Sequence, residues 1–364
     1  MALEGPAPRN FPDILARLWW RLDKALTLAD LGPSAEVGLL DGLRAGVTTV
    51  IDHHSSPNAI AGSLDVLADA ALRIGPRLCA CYEVSDRDGE AAQKAGIQEN
   101  VRFARAHRQD PRIAALFGLH ASCTVSDKTL ESALAAATDV DLPFHLHVAE
   151  DTADNQDALR RSGQRAVARL AEKGILGDGT LAAHCVHTSV ADWQTLARAG
   201  AVVVTNPQSN QNNAVGAARV AEMIAHGVSL GVGTDGMEAD VRQEIRAAFL
   251  LGHHLTRDPS SMWSETASLL SVNRKLASRL FGLPLGELAP GAAADVVVLD
   301  YHAPTPLSAD NWLGHFLFGF YQSPAQAVVV GGQVLIQDKI PVLLDPAALA
   351  ARSRESAARF WARF

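Results

Sequence analysis

The amino-acid sequence predicts an α/β fold: a TIM-type (β/α)8 barrel in which seven strands are recognisable, followed by a small β-rich segment. Three observations carry the prediction. Short apolar runs alternate with longer amphipathic segments as far as residue 232. The runs are apolar throughout, as strands buried on both faces of a parallel sheet must be. Polar, chemistry-bearing residues recur where those runs end, which is where the reactive groups of such barrels lie.

Taken in order, residues 12–44 are helical in pattern, with Phe11, Ile14, Leu15, Leu18, Trp19 and Leu22 on one stripe, and contain no strand candidate. Strands are then expected at 47–51, 77–82, 114–119, 143–148, 180–183, 201–204 and 228–232. Helices are expected between them at 61–74, 97–108, 128–137, 163–173, 189–199 and 217–226. After Gly282 the texture changes. Residues 288–300 read as a turn entering a β run, and 327–336 as a hairpin turning at Gly331 and Gly332. Residues 345–364 read as a closing helix. The expected division is a barrel over 1–281, incomplete at its N-terminal side, a partial β-sandwich over 282–345 and a helix over 346–364.

Composition narrows the function classes. The chain has 364 residues, 48% hydrophobic and 20% charged, enough for a barrel of roughly 250 residues and an accessory piece. A net charge of −8 with both signs interspersed excludes the basic footprint of a nucleic-acid binder. No run approaches the 18 or so apolar residues of a membrane span, and the N-terminus has no apolar leader core, so a cytoplasmic enzyme is the expectation. Cys79, Cys81, Cys123 and Cys185 lack paired zinc or redox spacing and are expected to be buried, reduced thiols.

The strand ends give a consistent set. They are Asp52-His53-His54, His120, His145 and His147 with Glu150 three residues beyond, His184, Asn206, and Asp235 within Gly233-Thr-Asp-Gly236. One histidine at a strand end is more often a hydrogen-bonded polar residue than a ligand. Histidine or aspartate at five of seven ends argues for one shared polar pocket. Imidazole and carboxylate suit a borderline divalent cation such as zinc, with Glu150 placed to carry protons for water attack on an sp² carbon.

His147-Val-Ala-Glu150, Ala183-His184-Cys-Val-His187, Asn206-Pro-Gln-Ser-Asn210 and Gly233-Thr-Asp-Gly236 resemble, in this order, the motifs of the amidohydrolase superfamily. The branch resembled is that of the chlorohydrolases and aminohydrolases, including guanine and adenosine-type deaminases. Ala289-Pro-Gly-Ala-Ala-Ala-Asp-Val-Val-Val-Leu-Asp300 is similar to the re-entry into the flanking β-sandwich of that family. From Phe11 through Trp19-Trp20 to His54 the chain most resembles aminohydrolases associated with selenium metabolism. The resemblance implies a metal-dependent hydrolase of C–N bonds other than peptide bonds, a deaminase of a small nitrogenous heterocycle. It implies catalytic roles for Glu150, His184 and Asp235, with His147, Asp235 and His184 as metal ligands. The implied cofactor is a divalent metal, zinc first and iron second. His120, His53 and Asn206 are expected to contact a small-molecule substrate. His145 and His187 carry no role from the resemblance, and His253 and His254 are explained by packing.

The family pattern also has a His-x-His pair closing its first strand. Residues 1–52 contain no histidine, and the one His-x-His, His145 to His147, belongs to a later strand. The expectation is therefore a barrel lacking its first strand, with Met1 a start placed too far downstream or the gene truncated, and weak metal binding by the chain as it stands. Bare edges, and with them poor solubility or aggregation, are expected on the outer strands unless dimerisation or the helix at 11–26 covers the gap. A non-catalytic homologue, or a hydrolase of an amide, guanidine or carbon–halogen bond, are the alternatives. The joint presence of Glu150, His184 and Asp235 favours a hydrolase. The His147-x-x-Glu150 motif with a single carboxylate on the last strand, and the absence of a lysine at the end of the 114–119 strand, argue against a carboxylated-lysine, two-metal centre and point to one metal.

Overall fold

The computed structural model describes residues 7–364; the start expected to be misplaced, Met1, lies outside the described residues. Its barrel strands are β1 (Thr49–His54), β2 (Arg77–Tyr82), β3 (Ile113–Ala115), β4 (Phe117–Ala121), β5 (Phe144–Val148), β6 (Leu181–His184), β7 (Val202–Thr205) and β8 (Ser229–Val232). All pair in parallel and in chain order, β1-β2-β3 in one ladder and β4 to β8 in another. Helices on the outer face separate successive strands, except β3 and β4, which only Leu116 divides, and this is why the alternation was readable.

The single strand expected at 114–119 is two strands broken at Leu116. The break is a change of contact. Leu116 N donates to Ala80 O at 3.2 Å, Val84 N to Gly118 O at 3.2 Å and His120 N to Val84 O at 3.0 Å, so β4 continues the sheet beside the end of β2. Gly118 permits this approach: a Cβ there would stand 2.3 Å from the Tyr82 carbonyl oxygen. Helix ends moved for local reasons as well. The helix expected at 97–108 spans Gly89–Ala106. The one expected at 163–173 is Ala166–Glu172, because Gly163, at φ 71°, ends an unexpected helix, Thr152–Ser162, that Asp151 caps.

Among the described residues β1 and β8 do not pair with each other. The expected bare edges are nonetheless partly covered. Asn273, on the helix Trp263–Phe281, accepts from Val232 N at 3.0 Å and donates to Val232 O at 2.8 Å, standing in for a neighbouring strand. The same helix sets Leu276, Leu280 and Phe281 against Cys79, Cys81, Leu116 and Ile51 in the barrel interior. Residues 11–25 lie across the mouth. Trp19 comes within van der Waals reach of Gly236, Lys24 Nζ pairs with Asp88 at 2.7 Å, and the Lys24 carbonyl accepts from Asn58 Nδ2 at 2.7 Å.

The β-rich segment is one antiparallel sheet: β9 (Val296–Leu299), β10 (Ala325–Val330), β11 (Gln333–Gln337) and β12 (Ile340–Pro341), in the order β12-β11-β10-β9. Val328, Leu335 and Ile336 share one apolar core with Leu31, Leu39 and Leu43 of the helix Leu28–Arg44 and with Ile74. A buried bidentate pair, Arg77 with Asp295 at 3.0 and 3.1 Å, ties this sheet to the base of β2. The helix Pro346–Trp361 docks on Leu28–Arg44, where Asp30 meets Arg363 and Ser356, and Glu36 meets Arg352. All four cysteines are free, and no helix among the described residues is long and apolar enough to cross a membrane.

Candidate active site

The strand ends converge as a barrel requires. Glu150, His184 and Asp235 each offer one donor atom, and the three atoms lie within 4.8 Å of one another. His184 Nε2 stands 3.6 Å from Glu150 Oε2 and 3.9 Å from Asp235 Oδ2. The His147 ring stacks beside that of His184, centroids 5.5 Å apart and planes 20° apart. His120 follows at 5.3 Å from His147 and His53 at 4.9 Å. The six residues form one continuous polar wall at the C-terminal ends of β1, β4, β5, β6 and β8.

Hydrogen bonds fix how each ring faces the pocket. His147 Nδ1 lies 3.0 Å from the His120 carbonyl oxygen, which can only accept, so Nδ1 carries the proton and Nε2 is a bare lone pair. His184 Nδ1 donates to Asn210 Oδ1 at 2.8 Å, with the same result. His120 Nδ1 donates to Thr124 Oγ1 at 2.6 Å, because that hydroxyl gives its own proton to the Ala121 carbonyl. Three imidazoles thus present Nε2 toward the cavity, the orientation that a ligand or proton acceptor needs. Burial pushes His184 and His120 toward the neutral form, His120 strongly.

The backbone is strained at the same places. Ala149, His184, Cys185 and Asp235 hold φ of 48°, 70°, 50° and 49°, in the left-handed region that costs a side-chain-bearing residue on the order of 1–3 kcal/mol. Ala149 turns the chain between His147 and Glu150, so both reach one pocket.

The carboxylates are held in opposite states. Burial lifts Glu150 to about 8, with the Asp235 charge adding to it and the His147 ring and the Asn213 amide (3.3 Å) opposing it. For Asp235 burial is outweighed by His184, by the Ser209 hydroxyl at 2.5 Å and by the Gly236 N–H at 2.6 Å, so it sits below the usual range. One acid is poised protonated and its neighbour ionised, which is how acid and base roles separate in one pocket. The short helix Pro207–Asn212 and the residue after it supply three of the tethers: Ser209 to Asp235, Asn210 to His184 and Asn213 to Glu150.

Of the residues singled out in the sequence, His120, His147, Glu150, His184, Asn206 and Asp235 are brought together, Asn206 through its amide 3.4–3.5 Å from the His184 ring. His53 faces the pocket, whereas His54 points away and bonds Ser56 at 2.8 Å. His187 and His253 bond the carbonyls of Val215 and Ser261. Glu83 was missed. It immediately follows β2, its Oε2 lies 3.4 Å from His53 Nε2, and it pairs with Arg87. His53, Glu83 and His147 form a second set of donor atoms within 4.8 Å. Burial opposes ionisation of Glu83, yet His120, Arg87 and His53 hold it well below the usual range. An acidic residue one position past a strand was the available signal.

Comparisons with known proteins show the family and the fold. Residues 17–335 match the model of the Amidohydrolase family. A 5-methylthioadenosine/S-adenosylhomocysteine deaminase of Desulforudis audaxviator is 30% identical over 353 residues, 95% of this chain and 80% of that protein. A 5'-deoxyadenosine deaminase of Methanopyrus kandleri is 28% identical over 344 residues, covering 93% and 78%. Among solved structures, an adenosine deaminase from Xanthomonas campestris with bound zinc superposes with a TM-score of 0.86 at 24% identity, covering 98% of this chain and 81% of that one. A triazine hydrolase variant superposes with a TM-score of 0.79 at 22% identity, covering 96% and 80%. With its barrel, its strand-end pocket and a family match over most of its length, this chain belongs to the amidohydrolase family.

Proposed function

We propose that this protein is a metal-dependent aminohydrolase that removes an exocyclic amino group from an adenosine-type nucleoside. The observation that carries the reading is the convergence of Glu150, His184 and Asp235 beside His147, with one carboxyl lifted to about 8 and the other held ionised. The names of its relatives, deaminases of 5-methylthioadenosine, S-adenosylhomocysteine and 5'-deoxyadenosine, support the substrate class.

The donor chemistry fits a zinc-class cation. His147 and His184 present bare Nε2 atoms, and Asp235 offers an ionised oxygen, the N and O donors such an ion takes. When bound, the ion supplies Lewis acidity that makes water a nucleophile at neutral pH. The chain's own groups do the rest. Asp235 accepts a proton from the attacking water. Glu150 delivers protons to the heterocycle and to the departing nitrogen. Water's oxygen bonds to the sp² carbon, the C–N bond breaks, ammonia leaves, and the carbon ends as a carbonyl. His120, its Nδ1 tied to Thr124, directs Nε2 toward the substrate.

The test is ammonia release from adenosine, 5'-deoxyadenosine, 5-methylthioadenosine and S-adenosylhomocysteine by zinc-loaded protein. Glu150→Gln is expected to lower kcat by roughly 10²–10⁴-fold with its metal retained, since the amide keeps the size and loses the proton relay. His147→Ala is expected to lose metal instead. Glu150→Gln retaining most of the wild-type kcat, or no turnover of any of the four, overturns the reading.

A further inference from the structure

The barrel interior holds a third donor set that the proposed reaction does not use: Cys81 on β2, His53 on β1 and His145 on β5, one donor atom from each, all within 4.8 Å. We propose that these three residues form a separate site for a thiophilic divalent cation of the zinc class. The proposal stands on its own geometry and not on the deaminase reading.

Spacing is the first argument. Zinc–sulfur bonds of about 2.3 Å and zinc–nitrogen bonds of about 2.0–2.1 Å, at a tetrahedral angle, put sulfur and nitrogen about 3.6 Å apart. Cys81 Sγ lies 3.4 Å from His53 Nδ1 and 3.7 Å from His145 Nδ1. Ring orientation is the second. The His53 ring sets Nε2 toward the Glu83 carboxylate, 3.4 Å away, and turns Nδ1 toward the sulfur. The thiol has one proton and three neighbours to satisfy, counting the Asp52 carbonyl at 3.5 Å. A cation bound to sulfur and both Nδ1 atoms satisfies them together, the thiol proton leaving to solvent as the S–metal bond forms.

The third argument is a space made for the sulfur. β4 lies between β2 and β5, and a side chain at its residue 118 would part them. A Cβ on Gly118 would meet Cys81 Sγ at 3.0 Å, so glycine there opens the way from Cys81 to His145. His145 and His147 are two apart on one strand and face the same side, which sets this cluster one layer deeper than the catalytic pocket. A thiolate with two imidazoles selects zinc- or copper-class ions over magnesium or calcium. The sequence pointed to one metal; this site would be a second, built from residues outside the motifs on which that expectation rested.

The test is a cobalt(II) titration of metal-free protein, followed by near-ultraviolet thiolate-to-cobalt charge transfer and by bound metal per chain. Wild type is expected to develop the band; Cys81→Ser is expected to lose the band together with one equivalent of cobalt, and Cys123→Ser to keep both. No band in wild type, or an undiminished band in Cys81→Ser, overturns the site. Should Cys81→Ser fail to fold, X-ray absorption of the zinc-loaded wild type decides. A sulfur neighbour at about 2.3 Å supports the site, and a shell of nitrogen and oxygen alone refutes it.

Discussion

Asp23, on the helical turn that crosses the barrel mouth, shows how charge is managed around this pocket. Burial lifts its carboxyl to about 7, the Glu83 charge adds to that, and Arg87 and the Ser55 hydroxyl only partly offset it. A folded-state value above the unfolded 3.8 means that its stabilising contribution is complete below about pH 4 and lost as pH rises through about 7. Asp23→Asn, fixed neutral, is therefore expected to melt close to wild type near pH 4 and above it beyond pH 7. Melting curves across that range check this; an equal gap at every pH would contradict it. At this scale the sequence was informative where chemistry and strand ends coincide, which is why the strand-end residues His147, Glu150, His184 and Asp235 were expected in one pocket and lie together. Glu83 follows an apolar run that carried no histidine and was passed over. Ser209 and Asn213 act through geometry, one helical turn apart, and no spacing rule announces that they hold Asp235 and Glu150.

Gly118 is where one residue decides how an element sits. The β4 backbone approaches the end of β2 so closely that a methyl group would press on the Tyr82 carbonyl at 2.3 Å. Gly118→Ala is expected to destabilise the fold by about 1–3 kcal/mol, as overpacking in a tight interior does, and to lower the melting temperature accordingly. An unchanged melting temperature would show that the two strands separate freely. Strand positions were readable to within about three residues because each run is apolar and short. The break at Leu116 was not, since it depends on a neighbour 36 residues away, Ala80. The helix Thr152–Ser162 was hidden for a different reason: it is mostly polar, with Asp154, Asn155 and Ala158 as its buried residues, and gives little apolar period.

For the whole molecule, the alternation of strands and helices made the barrel legible, and the family match bears it out. Less legible was how far apart in sequence the pieces of one core lie. The helix Leu28–Arg44 packs against strands β10 and β11 and is clasped by Pro346–Trp361, with Asp30 and Glu36 finding Arg363 and Arg352. That clasp imposes an order on biosynthesis. At roughly 5–20 residues per second, a ribosome that has made Asp30 needs on the order of 15–70 s more to make Arg363. Throughout that interval Leu31, Leu39 and Leu43 have the helix Ser63–Ile74 beside them but lack β10, β11 and the closing helix, and Glu36 has Arg73 while Asp30 waits for Arg363. Chains arrested after β12 are expected to be cleaved by protease within residues 28–44, and released full-length chains to resist. Equal resistance would mean that the first helices find shelter without the last. If they do not, the early part of this protein depends on chaperones for most of its own synthesis, a burden set by which segments the core joins.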